Sequence, residues 1–264
     1  MKLKAGHIVR LFYFWFMEEQ NSETRRNRGK SSEDITLFAS SQEQTKLEEA
    51  LKDMYYLLSR GYPVKSSLAL AANRYRLKTR QLLALQGMSC SKNESELRKA
   101  KEIAGNGLKG KTVYLDGFNV LILLETLLSG GYIFKGLDGC YRDISSVHGT
   151  YRKVNQTETG LVMIGELFKK FDAEKVIWIF DTPVSNSGKL KVLCYEIAEK
   201  NGFKWDCYLE NSPDKYLVQE PRLVCSSDAW ILNECSEWFN LGACIIRTFL
   251  EENHNSENII GFSI

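Results

Sequence analysis

The chain has 264 residues, a length that predicts about two domains. Hydrophobic residues make up 44% and charged residues 26%, which is ordinary globular composition and excludes a disordered, collagenous or low-complexity chain. The net charge is only +2, but residues 1–110 carry 20 basic and 12 acidic side chains, whereas residues 111–264 carry 15 and 21. This asymmetry predicts that the basic residues 1–110 contact an anionic polymer and that the acidic residues 111–264 gather carboxylates at a functional site.

The cysteines and the N-terminal segment indicate the compartment. The 7 cysteines include no CxxC motif and no zinc-finger spacing, which favours free thiols in a reducing cytoplasm. The apolar run from Leu11 to Met17 follows basic residues, as in a signal peptide, but no cleavage site follows it and it is too short to span a bilayer. We therefore expect a polar N-terminal extension over residues 1–42, which includes a linker over residues 18–42, and no membrane partner.

A small helical module is predicted over residues 43–104. Leu47, Leu51, Met54 and Leu58 recur at helical intervals until Gly61 ends the run. Two further helices are expected to start near residues 66–67 and near residue 79. The charged and then glycine-rich residues 91–110 are expected to form the domain boundary.

The corner between the second and third helices is strongly basic and weakly resembles a helix-turn-helix. We expect it to guide RNA through Arg74, Arg76, Lys78 and Arg80. Two other interpretations stay open. The corner is a solvated face, or it docks onto the acidic part of this chain or of a second copy in a homodimer.

Residues 111–264 change to short apolar runs that alternate with helical ones, which predicts a mainly parallel sheet in a three-layer α/β/α sandwich. The predicted strands are residues 112–115, 175–180, 205–209, 223–225 and 243–249. The predicted helices are residues 120–128, 157–171, 190–200 and 229–239.

Acidic side chains follow several of these strands. Asp116 and Asp181 come directly after two strands, Asp228 follows a third through Ser226 and Ser227, and Asp214 stands a short distance after a fourth. Each Asp has an ordinary role as a helix N-cap, but together at one sheet edge they repel one another unless a cation neutralises them. Carboxylates favour Mg²⁺ or Mn²⁺, ions suited to phosphodiester hydrolysis.

The motif Leu-Asp-Gly-Phe-Asn ending at Asn119, the Asp that closes a later strand, and Ser-Ser-Asp228 before a helix resemble the acidic signature of PIN-like nucleases, particularly their NYN branch. The resemblance covers about residues 111–250. It implies a Rossmann-like fold and RNA cleavage with Asp116, Asp181 and Asp228, together with Asp214, as metal ligands. The whole chain also resembles an uncharacterised prokaryotic two-domain family, which implies an architecture and no activity.

Four more groups are candidates by their chemistry. Asn119 and Ser227 are able to hold a phosphate or a metal-bound water, or to cap helices. His148 is a candidate general acid or a structural histidine. Its segment, which is no usual PIN element, offers further phosphate and base contacts through Arg142, Tyr151, Arg152 and Lys153. The loop after Asp181 offers Ser185, Asn186 and Lys189 at a helix start, or is an ordinary turn.

The residues leave several functions open. The first is a metal-dependent RNA hydrolase, of the endoribonuclease type, and the second is a non-catalytic RNA- or nucleotide-binding regulator with the same fold. The complete set of four acids favours the RNA hydrolase, because a protein that only binds RNA or nucleotides does not need these acids. Glycosidase-like chemistry predicts no metal. A phosphatase with Asp116 as nucleophile ranks last, since Phe118 stands where that class carries a second Asp.

Overall fold

The structure is a computed structural model that describes residues 28–29, 31–145, 151–253 and 257–264, with only the backbone at residues 252–253. Its N-terminal region is helical, as predicted. The helices are α1 (Asp34–Phe38), α2 (Ser41–Ser59), α3 (Val64–Tyr75), α4 (Thr79–Met88) and α5 (Lys92–Lys101). The apolar faces of these helices meet in a core that includes Leu47, Leu51, Met54, Leu85 and Met88. The predicted periodicity of α2 is confirmed, and Ser40 caps it by accepting a bond from the Glu43 N–H.

Two segments of this region differ from expectation. Helix α1 lies within the predicted linker, because Phe38 is fully buried against Tyr132 and Phe134, with ring centroids 5.2 and 4.9 Å away. Helix α5 occupies the predicted boundary, because Ser91 and Glu94 form a capping box that starts it. Its charged composition hid a helix that contacts the rest of the protein.

Among the described residues, five parallel strands form the main sheet in the order β5-β4-β1-β6-β7. These strands are β1 (Thr112–Asp116), β4 (Lys175–Asp181), β5 (Trp205–Glu210), β6 (Leu223–Cys225) and β7 (Glu237–Trp238). The helices around them are α6 (Gly117–Leu128), α7 (Gln156–Lys170), α8 (Ser187–Asn201), α9 (Pro213–Val218), α10 (Ala229–Glu234) and α11 (Leu241–Asn253).

Alternate residues of β4 show that both faces of this sheet are covered. Trp178 and Phe180 pack in one core with α6, α7, α8 and α11. Ile177 and Ile179 pack in another core with α9 and α10. A strand that is buried on both faces reads as a continuous apolar run, which is why these strands were recognisable.

A second sheet was not predicted. It has the order β3-β2-β8 and consists of β2 (Ile133–Lys135), β3 (Tyr141–Asp143) and β8 (Ile259–Gly261). Tyr132, Phe134, Ile144 and Ile260 from and beside these strands pack into the core of the helical module. The module is therefore joined to the rest of the chain through a shared core.

Two predicted elements are wrong. Residues 243–249 belong to helix α11 and not to a strand; Leu241, Ile245 and Ile246 are buried at helical spacing, a pattern that the continuous apolar run concealed. The predicted helix over residues 229–239 ends at Glu234, and β7 follows it. Among the described residues, no helix is both long enough and apolar enough to cross a membrane.

Candidate functional site

The candidate site lies where the chain changes direction across the main sheet. From β1 the chain adds β4 and β5 on one side, then returns to add β6 and β7 on the other side of β1. In open parallel sheets, ligands bind beyond the carboxyl ends of the strands at such a switch point. Asp116 ends β1, and Ser226, Ser227 and Asp228 follow β6, so the sequence motifs meet at this point.

Asp116 is the most buried acid of the site, with 8% of its surface exposed. The Ser226 hydroxyl donates a hydrogen bond of 2.6 Å to its Oδ2 atom. Burial raises the pKa of Asp116 to about 7, against the lowering effect of this bond, and the negative charges of Asp214, Asp228 and Asp181 raise it further. The charges of these three carboxylates therefore influence the ionisation of Asp116.

Two of the other acids are less buried than Asp116, but their pKa values shift in the same direction. Asp181, at the end of β4, is partly buried; burial raises its pKa and the charge of Asp214 adds to the effect. Asp214, in α9, is exposed at the surface; partial desolvation raises its pKa, and the charge of Asp228 adds to it. The acids of four different elements thus share one electrostatic environment.

Asp228 also serves as a helix cap. Its Oδ1 atom accepts bonds from the backbone N–H groups of Trp230 and Ile231 at 2.8 and 3.0 Å, which orients α10. Asp116 is different, because within the described residues its side chain makes no capping bond to α6. Helix capping therefore explains the backbone bonds of Asp228. It does not explain why Asp116 is buried.

Ser226, Ser227 and Asn119 hold the two strand ends together. The Ser226 hydroxyl accepts the Asp228 N–H at 3.0 Å while it donates to Asp116. The Ser227 N–H and hydroxyl both donate to Asn119 Oδ1 at 2.9 Å. Because a backbone N–H can only donate, Asn119 must present its oxygen to Ser227, and its amide nitrogen is left to face other groups. Ser226 was missed from the sequence; its only signal was its place in the Ser-Ser-Asp motif.

A small, shallow cleft borders these residues. Its walls come from α6, β3, the turn after β6 and the start of α11. The polar residues in its lining are Asn119, Tyr141, Ser226, Ser227 and Asn240. It offers hydrogen-bonding groups beside Asp116 on a mainly apolar wall.

The residues of the site match a divalent metal ion in the type of their donor atoms but not in the placement of their side chains. Carboxylate, hydroxyl and amide oxygens are the donor types that Mg²⁺ and Mn²⁺ prefer. As the side chains stand, however, the described residues contain no group of three or more His, Cys, Asp or Glu that is placed to hold an ion. The metal site of Asp116, Asp181, Asp214 and Asp228 stays a prediction.

Two residues that were expected to grip RNA lie inside the protein. The guanidinium of Arg142 contacts Asp138 and two backbone carbonyl groups. Tyr151 is 2% exposed, and its hydroxyl donates to the buried carboxylate of Glu125 and lies 3.0 Å from the Thr157 hydroxyl. This placement corrects the expectation that they contact nucleic acid, because their polar groups already have partners within the fold.

The neighbouring candidates are more accessible. Lys153 is about half exposed and forms an ion pair with Glu158, and Arg152 is exposed while its backbone carbonyl accepts a bond from Arg28. In the loop after Asp181, Ser185 and Asn186 are exposed, and Lys189, in the first turn of α8, is exposed as well. Asn186 has a left-handed φ of 71° and donates from its amide to the carbonyl of Tyr151 at 2.9 Å. His148 lies outside the described residues.

The basic corner of the helical module is only partly available to a ligand. Arg80 bonds to the buried carboxylate of Asp34 at 2.5 and 3.0 Å, so its charge is neutralised within the fold. The Arg74 side chain is 70% exposed, although it lies 3.5 Å from Asp53. Arg76 and Lys78 are exposed. The structure therefore leaves three of the four predicted cations at the surface.

Comparison with known proteins places the chain among proteins of undetermined activity. Residues 46–101 match DUF434, a protein family of unknown function, and residues 105–244 match DUF5616, a domain of unknown function. The chain is 32% identical over 186 residues to the uncharacterised protein MJ0935 of Methanocaldococcus jannaschii, which covers 70% of this chain and 88% of that protein. No solved structure matches. The chain therefore belongs to the family of proteins that carry the DUF5616 domain.

Proposed function

We propose that this protein is a divalent-metal-dependent RNA hydrolase whose active site lies at the carboxyl edge of the main sheet. The observation that carries the proposal is the electrostatics of this edge: burial raises the pKa of Asp116 most, and the charges of Asp214, Asp228 and Asp181 raise it further. Carboxylates in such a cluster repel one another and repel phosphate. Mg²⁺ or Mn²⁺ between them relieves both effects, which is the arrangement that phosphodiester hydrolysis requires.

The fold supports a PIN-like, Rossmann-like assignment. Helices cover both faces of the main sheet, which makes three layers, and the strands taken in chain order lie as 3-2-1-4-5. Asp116 and the turn that carries Asp228 stand at the switch point of this order, and Asp181 ends the neighbouring strand β4. The positions and the residue types of the acids thus support the resemblance to PIN-like nucleases, which the motifs around Asp116 and Asp228 suggested.

The chain's own groups have separable roles in this proposal. Asp116 uses Oδ2 to accept from Ser226, which fixes its orientation and leaves Oδ1 for the ion or its water. Asn119, with its oxygen bound to Ser227, offers its amide N–H groups to a phosphate oxygen. When bound, Mg²⁺ or Mn²⁺ would lower the pKa of a coordinated water and stabilise charge on the leaving oxygen.

The exposed cations supply the contact with the RNA backbone. Arg74, Arg76 and Lys78 lie on the helical module, and Lys153 and Lys189 lie on the α/β part near the loop after Asp181. Backbone contacts of this kind release counterions, so binding in the presence of chelator weakens as salt rises. The seven free cysteines support a reducing, cytoplasmic location.

The test is cleavage of mixed single-stranded and structured RNAs with Mn²⁺, Mg²⁺ or chelator. An Asp116→Asn/Asp228→Asn variant removes two predicted ligands. An Asp172→Asn variant is the control, because Asp172 is exposed and has a left-handed φ of 55° that Asn tolerates. The proposal predicts metal-dependent cleavage by the wild type and the control, and none by the folded double variant.

A non-catalytic RNA-binding regulator is the second candidate. The observation in its favour is that no group of three potential ligands is assembled among the described residues and that Asp228 has a capping role. Binding of RNA without cleavage in any metal, at equal strength in the wild type and in the double variant, would establish this candidate in place of the hydrolase.

A further inference from the structure

Arg142 connects three parts of the protein at a buried point. Its side chain is 13% exposed. The Nε atom donates to the carbonyl of Ser227 at 2.7 Å, and Nη1 donates to the carbonyl of Gly87 at 2.9 Å. Nη1 and Nη2 also donate to the two carboxylate oxygens of Asp138 at 3.0 and 2.7 Å. One guanidinium thus bridges the end of α4, the loop between β2 and β3, and the turn after β6.

The charge of this bridge is balanced within the fold. The Asp138 carboxylate lies between Arg142 and Arg98 of α5, which is 1% exposed and donates to Asp138 at 2.5 Å. The two arginines lower the pKa of Asp138 against the opposing effect of its burial. Arg98 differs from Arg142 in its remaining partners, because its Nε atom bonds to Asn233 at the end of α10.

The contact at Ser227 acts on the candidate site through the backbone. The Ser227 carbonyl is held by Arg142, while the N–H and hydroxyl of the same residue are held by Asn119. On either side, Ser226 donates to Asp116 and accepts from the Asp228 N–H. The turn is therefore fixed from opposite directions, by α6 and by Arg142, and its position determines where two of the acids lie.

We infer that Arg142 is a positioning residue of the candidate site, through which the helical module holds the turn of Ser226, Ser227 and Asp228 in place. The inference rests on the proposed function for its metal and cleavage readouts. Groups that orient ligands from outside the contact sphere change metal affinity or activity by about 10- to 100-fold when they are removed. A lysine at position 142 keeps the charge but cannot reach three partners at once.

The experiment compares Arg142→Lys with Arg98→Lys in the full chain. Each variant weakens one of the two ion pairs that the buried Asp138 carboxylate makes, but only the first breaks the contact to Ser227. Three quantities are measured: amide hydrogen exchange at Ser227 and Asp228, affinity for Mn²⁺, and kcat for RNA cleavage at saturating Mn²⁺. Arg142→Lys is expected to speed the exchange, weaken Mn²⁺ binding and lower kcat, each by about tenfold or more. Arg98→Lys is expected to lower thermal stability without these changes.

Equal effects of the two variants on all readouts would overturn the inference, since they would show a stability role alone. If the wild type neither binds Mn²⁺ nor cleaves RNA, the proposed function fails, but the exchange comparison still tests the positioning role. If Arg142→Lys does not fold, Arg142→Gln and Arg98→Gln replace the pair, because each leaves Asp138 with one arginine partner.

Discussion

At the scale of single residues, Asp116 carries the clearest physical signature. Its pKa of about 7 lies above the usual 3.8 because the carboxyl group is buried among other acids. Without metal, the folded protein therefore holds a proton that the unfolded chain releases at lower pH. The free energy of unfolding is therefore least affected by Asp116 below about pH 4. It falls as the pH rises, and above about pH 7 the protein bears the whole cost of a buried, ionised carboxylate.

Asp116→Asn removes this titration. At pH 8 in chelator we expect the variant to be more stable than the wild type by about 2–4 kcal/mol, and we expect the difference to shrink toward pH 4. Urea denaturation at a series of pH values measures the free energy of unfolding of both proteins. Parallel pH profiles for the two proteins would show that Asp116 ionises normally.

Ser226 is the second prediction at this scale. Its hydrogen bond lowers the pKa of Asp116, so Ser226→Ala raises that pKa further, while Ser226→Thr keeps a hydroxyl and serves as the control. Titration of the Asp116 carboxyl carbon by NMR reads the effect directly. An unchanged midpoint in Ser226→Ala would mean that the bond to Asp116 is not made in solution.

The sequence allowed prediction of the acids but not of their supports. Asp116, Asp181 and Asp228 were found because strand ends are recognisable and parallel strands bring their ends to one edge. Ser226 and Arg142 act through partners that are distant in the chain, at separations of 110 and 85 residues. No local pattern encodes such contacts, so Arg142 was assigned to the surface by its charge.

At the scale of elements, Arg28 joins the chain before α1 to α6 through a buried ion pair. Arg28 bonds to Glu125, a residue with no exposed surface, and its guanidinium lies 5.1 Å from the centre of the Tyr151 ring. Tyr151 in turn donates its N–H to the carbonyl of Ser185 at 3.1 Å, in the loop after Asp181. The segment before α1 is thus linked to the acid edge.

Arg28→Ala leaves Glu125 buried without its cation. We expect a loss of about 3–5 kcal/mol in the free energy of unfolding, because breaking a buried pair on one side leaves an uncompensated charge. Adding Glu125→Gln should restore part of the loss, since Tyr151 and Thr157 still satisfy the amide oxygen. Guanidinium denaturation of both variants is the measurement. A change below about 0.5 kcal/mol in Arg28→Ala would contradict the buried pair.

Elements were predictable where a single sequence feature dominated, either a continuous apolar run or a helical periodicity. Strands β1 and β4 carry apolar residues on both faces and helix α2 is strictly periodic, so both kinds were recognised, whereas the edge strand β5 buries only one face. Helix α11 was mistaken for a strand because its buried positions, including Ile245 and Ile246, sit within an unbroken apolar run. Strand β2 pairs with β8 across more than 100 residues of chain, and the three-residue strands β2, β3 and β8 are too short to show a detectable alternation.

At the scale of the whole molecule, the helical module and the α/β part share one core. Phe134 and Ile260 of the second sheet pack with Phe38, Leu51 and Met88 of the module. A fragment of residues 105–264 therefore exposes this apolar surface. We expect the fragment to associate or to lose its cooperative thermal transition, and size-exclusion chromatography with calorimetry tests this. A monomeric fragment that melts like the full chain would show that the division predicted near residues 105–110 is a true boundary.

The proposed function requires that the four acids Asp116, Asp181, Asp214 and Asp228 bind a divalent ion. Isothermal titration of Mn²⁺ into the wild type, the Asp116→Asn/Asp228→Asn variant and the Asp172→Asn control tests it without any assumption about the RNA. We expect saturable binding to the wild type and the control, and a loss of at least tenfold in affinity in the folded double variant. Equal Mn²⁺ affinity in all three proteins, or none in any, would contradict it.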